Sequence, residues 1–374
     1  MIFLPLILIE IFLRSISVKD GHIEKLFNRA WYVIPPIGIP TSISNSHKTE
    51  KDKYRVYDEK LGWGLGKNSS DPPLYFSNSQ NFRTSESEYK TGNKIILNTD
   101  IITIGDSFTH GDEVIYEQSW PYKLENKSGL KVVNLGVGGY GIDQAILSYL
   151  NSDINTNYVI IGIISGDFER STNILYRGLY YGGTKSKPMF NFTDDGYSII
   201  NQPALWGPGL IDEYKKREKS LFFQNEKNYH ELIIKKQIFD FSYIFRIGKM
   251  FWLRSKIISD PIYLKKEEKF DMYNYNLKIL NTFRDLAIDK GDIPIAVLLG
   301  NANSFQDRDK HKDPWINLKN DLDKIELKYL DVTNELYEIF KKTPNEIINS
   351  EGVHYTPKAN ELVADLISEY LVNL

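Results

Sequence analysis

The chain has 374 residues, of which 41% are hydrophobic and 25% are charged, so its composition is that of a globular protein that can bury a full-sized core. The formal net charge of −3 lacks the basic excess of a nucleic-acid binder, and we exclude nucleic acid as a partner. The absence of cysteine excludes disulfides, thiolate metal sites and a cysteine nucleophile.

The N-terminal segment Met1–Leu13 is apolar except for Glu10, and Arg14 closes it. It is shorter than the ~20 residues of a spanning helix, and it lacks the leading positive charges and small-residue cleavage site of a secretory signal. It could be a core helix of the body or the remnant of a membrane anchor that starts upstream. We favour the anchor, because the following residues up to Glu50 read as a largely polar linker.

The body of the chain alternates β-branched runs with amphipathic stretches, which predicts an α/β fold with a parallel sheet. Strands are predicted at 100–104, 131–135, 157–164, 293–299 and 329–332, and helices at 117–126, 142–150, 267–290, 315–324, 334–341 and from Pro357. Residues from about 170 to 265 break this alternation and are interpreted as an insertion, with a helix around Leu232–Phe241, that caps the active site. The predicted domains are 1–50 (anchor and linker), 51–95 (leader) and 96–374 (α/β domain with its insertion).

The sharpest motif is Gly105-Asp106-Ser107, which directly follows the first predicted strand of the body. In a parallel sheet the active site lies beyond the carboxyl ends of the strands, and Ser107 is predicted there. A serine hydroxyl becomes a nucleophile when a base takes its proton. A serine that only caps the next turn would show the same tripeptide, since all three residues favour turns. The preceding strand favours the nucleophile.

The second motif, Ser350–Pro357 (SEGVHYTP), lies just before the terminal helix. His354 can accept the serine proton through one ring nitrogen, and the other nitrogen then needs an acceptor. Glu351, three residues earlier, is predicted to be that acceptor. Alternatively, His354 is a loop histidine and Thr356 or Ser350 caps the helix. None of the other five histidines has metal-ligand spacing with it, so we predict neither a metal nor a cofactor.

The third motif, Asn134–Gly141 (NLGVGGYG), follows the second strand. Its glycines leave backbone N–H groups accessible, which suits an oxyanion hole. A tight strand-to-helix turn would need glycines for geometry alone. Nucleotide binding is a weaker interpretation, since neither a dinucleotide fingerprint nor a P-loop lysine is present.

In their order along the chain, these blocks resemble the SGNH or GDSL hydrolase superfamily, whose fold is a flavodoxin-like three-layer α/β/α sandwich. The resemblance implies that Ser107 is the nucleophile, and that the N–H groups of Ser107 and Gly139 form the oxyanion hole. Glu351-Gly352-Val353-His354 is similar to the last block, usually Asp-x-x-His, with glutamate in place of aspartate. Weaker similarity near Tyr57–Trp63 and Asn78–Arg83 to membrane-anchored bacterial members, some of which transfer acetyl groups on polysaccharides, implies a cell-envelope location with the α/β domain outside the cytoplasm.

The third block departs from the superfamily pattern. Where Gly-x-Asn-Asp is expected, this chain has Ile164-Ser165-Gly166-Asp167, so Gly166 stands in place of the asparagine that donates to the oxyanion. Loss of one such donor lowers turnover by about 10²–10³-fold. Another donor could substitute, such as Ser165 or a residue of the insertion, or activity could be low.

Two functions follow from the sequence. The first is a Ser107–His354–Glu351 ester hydrolase or O-acyl (acetyl) transferase that acts on an envelope carbohydrate or other small ester. The second is a catalytically impaired relative that binds carbohydrate or serves as a scaffold of the envelope. Gly166 and the aromatic residues of the insertion motivate the second, namely Tyr176, Tyr180, Tyr181, Phe190 and Trp206.

Overall fold

The structure is a computed structural model that describes residues 3–16, 23–26, 29–31, 54–92, 95–176, 185–226, 235, 237–258 and 272–374. Contacts group the chain into two units. The first comprises Met1–Glu50, Tyr57–Gly62 and Thr172–Pro261, and the second comprises Lys51–Val56, Trp63–Ser171 and Ile262–Leu374. The insertion predicted at 170–265 overlaps the longest segment of the first unit, whereas the domain boundaries drawn from the sequence stay a prediction.

A five-stranded, fully parallel sheet forms the centre of the second unit. Its strands are β1 (Ile101–Ile104), β2 (Val132–Asn134), β3 (Tyr158–Ile163), β4 (Ile293–Leu298) and β5 (Lys328–Asp331). Their order across the sheet is β5-β4-β3-β1-β2, which is the flavodoxin-like order. The predicted α/β fold is confirmed.

Helices cover both faces of the sheet. They are α1 (Ser107–His110), α2 (Trp120–Ser128), α3 (Ile142–Leu150), α4 (Ser165–Ser171), α5 (Met272–Asp289), α6 (Ala302–Lys310), α7 (Ile316–Lys324), α8 (Thr333–Phe340) and α9 (Pro357–Val372). Helices α2 and α9 pack together, while α5 contacts α3 and α4. Because β1, β3 and β4 lie between helical layers, their side chains are almost all buried apolar residues, in keeping with the β-branched runs of the sequence.

The core of the second unit includes a cluster that joins the sheet to one helical layer. Trp120 of α2 and Val363 of α9 are fully buried in it, together with Ile160 and Val297 from the strands. The start of α9 is fixed by Thr356, whose side chain accepts the N–H of Ala359, and by Pro357 in its first turn. These contacts hold the loop that carries His354 against the sheet.

Smaller elements precede the sheet. Strands Arg55–Asp58 and Gly62–Leu65 each span a boundary between the two units. In the second unit, Ser70–Asp71, Tyr75–Ser77 and Arg83–Thr84 form a three-stranded sheet. Helix Glu86–Thr91, a 3₁₀ turn at Tyr116–Gln118 and a short helix at Pro344–Ile347 are also present.

The described part of the first unit contains helices and hairpins. The helices are Phe3–Ile16, Gly207–Lys216 and Tyr243–Ile258, with 3₁₀ turns at Arg217–Lys219 and Phe223–Asn225, and the hairpins are Ile23–Leu26 with Arg29–Trp31 and Met189–Thr193 with Gly196–Ile200. No helix in the described part of the chain is both long enough and apolar enough to cross a membrane.

One predicted helix is wrong in its described part. Residues Gln237–Phe241, the end of the helix expected around Leu232–Phe241, form a turn, because Asp240 Oδ2 accepts the N–H of Gln237 at 2.8 Å. A helix begins only at Tyr243. Residues 232–234 and 236 of that predicted helix lie outside the described residues, and so do most residues of the linker predicted up to Glu50.

Candidate active site

The turn between β1 and α1 presents Ser107. Gly105 has φ +151°, and a Cβ on it would lie 2.3 Å from Thr109 Oγ1 and 2.8 Å from the carbonyl oxygen of Gly162, so only glycine fits. Asp106 caps α1 by accepting the N–H of Phe108 at 2.9 Å. Ser107 is therefore the first residue of a helix at the carboxyl edge of the sheet, beside the point between β1 and β3 where the strand order reverses.

The glycine-rich loop after β2 packs directly on this helix. Asn134 donates through Nδ2 to the carbonyl oxygen of Thr109 at 2.9 Å, and its Oδ1 accepts the N–H of Gly136 at 2.8 Å. Gly139 has φ +87°, a conformation that favours glycine. Within the described part of the chain, no acceptor pairs with the N–H of Ser107 or with that of Gly139. Of the two predicted oxyanion donors, Ser107 thus begins a helix that Asp106 caps, and Gly139 lies in the loop that Asn134 anchors.

The third block forms the first turn of α4. Asp167 Oδ2 accepts the N–H of Ile164 at 3.0 Å, and Ser165 Oγ accepts from Asn301 Nδ2 at 3.3 Å. Burial, and after it the neighbouring Asp106, raise the pKa of the Asp167 carboxyl well above its usual range. A Cβ on Gly166 would have no contact closer than 3.5 Å, so a side chain at this position meets no backbone obstacle.

Glu113, in the loop that follows α1, binds the His354 loop at three points. Its Oε1 lies 2.6 Å from His354 Nδ1, and its carboxylate also accepts the N–H groups of Val353 at 3.1 Å and of His354 at 3.3 Å. A Cβ on Gly352 would lie 1.8 Å from Glu113 Oε2, so the carboxylate needs glycine at that position to approach so closely. Glu113 itself has φ +71°, and its N–H donates to the Tyr75 hydroxyl at 2.8 Å.

In the structure Glu113, and not the predicted Glu351, contacts Nδ1 of His354. Glu351 is exposed, and its N–H donates to Asn349 Oδ1 at 3.2 Å, in a tight turn that Gly352 N–H closes on the carbonyl oxygen of Asn349. The carboxylate at Nδ1 of His354 is that of Glu113, which stands 241 positions away in sequence. Sequence reasoning missed Glu113 because the partner was sought on the same loop as the histidine.

Ser107 and His354 are brought to the same part of the second unit. The ring of Phe108, the residue after Ser107, lies with its centroid 5.1 Å from that of the His354 ring. Among the described residues no hydrogen bond joins Ser107 Oγ to His354, and Oγ instead donates to Asp106 Oδ2 at 3.4 Å. The side chain of His354 is 15% exposed.

A second histidine, His110 at the end of α1, lies in a buried polar cluster that the sequence did not reveal. Its Nδ1 is 2.5 Å from Asp112 Oδ1 and its Nε2 is 2.8 Å from the Tyr54 hydroxyl. Arg83, 2% exposed, donates to the carbonyl oxygen of Val114 at 2.6 Å beside it. Burial first, and then the charge of Arg83, lower the pKa of His110 to about 3. The cluster ties the segment before the sheet to helix α1.

The described residues contain no group of three His, Cys, Asp or Glu side chains that could hold a metal ion. Comparison with known proteins gives no matching family model and no matching curated protein.

Several solved structures are similar to this chain. A lipolytic protein of the G-D-S-L family from Desulfitobacterium hafniense DCB-2 is 15% identical, with a TM-score of 0.34 over 73% of this chain and 99% of its own. A member of the same family from Veillonella parvula DSM 2008 is 15% identical, with a TM-score of 0.38 over 74% and 99%. An acetyl xylan esterase from the rumen bacterium Butyrivibrio proteoclasticus is 11% identical, with a TM-score of 0.31 over 75% and 65%. At these values the likeness assigns neither an activity nor a substrate to this chain.

The neutral state of His110 predicts an acid dependence of stability. Its pKa in the fold, about 3, is below the unfolded value near 6.5, so the unfolded chain binds more protons between these values. The free energy of unfolding should therefore fall by about 1.4 kcal/mol per pH unit from this group as pH drops below about 6.5. Urea unfolding between pH 6.5 and 4.5 measures the slope.

His110→Asn should be less stable at neutral pH, with a shallower slope over this range. His311→Asn, at an exposed residue after α6, is the control and should keep the slope of the parent chain. If the free energy of unfolding changes equally with pH in the parent chain and in His110→Asn, His110 is not held neutral in the fold.

Proposed function

We propose that the chain is a serine-dependent ester hydrolase or O-acyl transferase in which Ser107 is the nucleophile, His354 the base and Glu113 the residue that orients His354. The contact of 2.6 Å between Glu113 Oε1 and His354 Nδ1 carries the proposal. An acceptor at Nδ1 holds the imidazole in the tautomer whose Nε2 can take a proton, and it stabilises the imidazolium that forms. Ser107 begins the short helix α1 and Glu113 follows its end, so this contact couples the nucleophile turn to the histidine loop.

The reaction proceeds in two halves. Ser107 Oγ bonds to the acyl carbon while its proton passes to His354 Nε2, and the N–H groups of Ser107 and Gly139 stabilise the oxyanion. The oxyanion collapses, the ester C–O bond breaks, and His354 returns the proton to the leaving alcohol. Water or a sugar hydroxyl then releases the acyl group by the same steps in reverse. In the free protein Ser107 Oγ donates to Asp106 Oδ2, so the mechanism requires that it turn to His354 Nε2 when substrate binds. Hydrogen bonds between a nucleophile and its base are often long in a free enzyme and shorten in the complex with substrate.

The substrate we propose is an acyl ester, an O-acetylated carbohydrate of the cell envelope or another small ester. Hydrolysis and transfer share every step up to the acyl-enzyme and differ in the acceptor that attacks it. A time course with p-nitrophenyl acetate, with and without oligosaccharide acceptors, separates the two by the acetylated product.

Ser107→Ala and His354→Ala should each reduce p-nitrophenyl acetate turnover to the background rate, because either change removes the activated nucleophile. Ser128→Ala, at the end of α2, is the matched control and should keep the parent rate. A serine-reactive fluorophosphonate should label the parent chain and Ser128→Ala only. Equal rates in the parent chain and Ser107→Ala would discard the nucleophile and favour an inert carbohydrate-binding or scaffold protein.

Glu113→Gln should lower kcat by up to about 10⁴-fold, the loss seen when the orienting carboxylate of a serine triad becomes an amide. Glu351→Gln removes the same charge from the neighbouring exposed loop and should leave kcat within about two-fold, since surface substitutions have small effects. Steady-state kinetics on both variants compare the two carboxylates directly. A large loss in Glu351→Gln with none in Glu113→Gln would return the role to Glu351.

We further propose that helix Phe3–Ile16 attaches the chain to a membrane of the cell envelope, with the α/β domain outside the cytoplasm. The helix exposes most of its large apolar side chains, among them Leu4 (66%), Leu8 (59%) and Ile11 (58%). The carboxylate of Glu10 accepts the N–H groups of Tyr243 and Ile244 in the same unit. The one acidic side chain of the helix is therefore paired within the protein and need not enter the membrane.

The triple variant Ile7→Ser/Leu8→Ser/Ile11→Ser should abolish co-sedimentation with phosphatidylglycerol vesicles, because burial of these side chains is the driving force. Ile95→Ser/Leu97→Ser, at two residues exposed to a similar degree, is the control and should sediment like the parent chain. Equal sedimentation of all three proteins would contradict attachment through this helix.

A further inference from the structure

The oxyanion site lacks the side-chain amide that the resemblance leads one to expect, but a guanidinium lies where that amide would project. A Cβ built on Gly166 has Arg170 Nη2 as its nearest neighbour at 3.5 Å and Arg170 Cζ at 3.8 Å. Arg170 follows one turn later on α4, so its side chain returns along the helix towards position 166. The cation thus borders the space that an asparagine side chain would enter.

Arg170 is also held beside both backbone donors. Its Nη1 donates to Asp106 Oδ2 at 2.8 Å and to the carbonyl oxygen of Tyr140 at 3.1 Å. Asp106 immediately precedes Ser107, and Tyr140 immediately follows Gly139. A third bond of 2.7 Å to Asp167 Oδ1 fixes the guanidinium to its own helix. These three contacts orient the guanidinium in the free protein, and preorganisation of this kind is what an oxyanion donor requires.

We propose that the Arg170 guanidinium supplies the side-chain donor of the oxyanion hole, in place of the asparagine that Gly166 lacks; this rests on the proposed function. As Ser107 Oγ bonds to the acyl carbon, the π pair of the carbonyl moves to its oxygen. That oxygen then accepts from the N–H groups of Ser107 and Gly139 and from Nη2 of Arg170. When the pair returns and the C–O bond to the alcohol breaks, the three bonds weaken together.

The local charges are compatible with this role. A charged donor forms a stronger hydrogen bond to an anion than a neutral amide does. Asp106 partly offsets the charge of Arg170 and keeps it in place. Burial, and after it Asp106, raise the pKa of the Asp167 carboxyl, while the charge of Arg170 acts to lower it. Arg170 also keeps 22% of its side chain exposed, so that the group is accessible to substrate.

Arg170→Gln and Arg170→Lys test the role. For p-nitrophenyl acetate, Arg170→Gln should lower kcat by about 10²–10³-fold with KM changed little, the pattern of a donor used mainly in the transition state. Arg170→Lys, which keeps the charge but not the planar fork, should lose less. Arg284→Gln is the matched control and should keep the parent kcat. The Arg284 side chain is similarly exposed, at 21%, and it donates to the carbonyl oxygen of Ile325. Ile325 precedes β5 and therefore lies at the amino end of that strand, away from the carboxyl edge that carries Ser107.

Two readouts separate a donor from a structural arginine. A boronic acid that forms a tetrahedral adduct with Ser107 should bind Arg170→Gln more weakly by about the same factor as kcat/KM falls. The double variant Arg170→Ala/Gly166→Asn should recover at least about ten-fold of the turnover lost in Arg170→Ala, because the new amide enters the space beside position 166.

The outcomes are distinguishable from failure of the proposed function. If Ser107→Ala retains the parent rate, both the esterase mechanism and the role of Arg170 fall. If Ser107→Ala is inactive while Arg170→Gln keeps the parent kcat, only the role of Arg170 falls. A third outcome is that Arg170→Gln loses kcat while its boronate affinity is unchanged and the double variant recovers no turnover. That outcome would show that Arg170 only stabilises the local structure, and it would overturn the proposal.

Discussion

The whole site depends on how closely helix α1 approaches the ends of the strands around it. A Cβ at Gly105 or at Gly162 would fall within 2.4 Å of Thr109 Oγ1, and one at Gly136 would fall 2.5 Å from the backbone nitrogen of His110. Three chain segments therefore meet a four-residue helix without side chains between them. This close packing puts the turn at Ser107, the loop of Gly139 and the end of β3 beside one another, and a methyl group at any of the three positions would separate them.

The sequence predicted the sheet well, because the information needed for it is local. Runs such as Ile101–Ile104 and Tyr158–Ile163 are largely apolar on both faces, as strands between two helical layers must be. Their bounds differ from the predicted ones by one residue at the start of the first strand and by one residue at each end of the second. The position of Ser107 at a strand end also follows from the rules of parallel sheets, whereas the flavodoxin-like order of the strands was implied by the resemblance. The insertion was harder, because its aromatic and charged residues follow no period, and the helix expected near Leu232 illustrates the difficulty.

The carboxylate partner of His354 could not be found by the same reasoning. Glu351 was favoured because it is near in sequence, yet contacts between loops at one edge of a sheet depend on where each loop turns. Tight turning at Asn349–Gly352 leaves Glu351 exposed, while Glu113 reaches the histidine from the loop after α1. Gly352 is a sequence feature related to this contact, because the Glu113 carboxylate occupies the space that a side chain there would fill. That relation can be recognised only when the positions of both loops are known.

The difference between position in sequence and position in space also explains how the chain departs from the pattern of the superfamily it resembles. A motif records which residue supplies a donor at a fixed position, whereas the transition state requires only a donor at a fixed point in space. One turn of helix separates positions 166 and 170, so a long side chain at the second can return to the space beside the first. The carboxylate of Asp106 then has two uses, since it caps helix α1 through one oxygen and holds Arg170 through the other. An amide would need no such counter-charge, and a guanidinium in a partly buried site does, because an unpaired cation there would be costly. The departure at position 166 and the ion pair at 106 and 170 are therefore best understood as one arrangement, in which a charged donor and the carboxylate that balances it occupy the place of a neutral one.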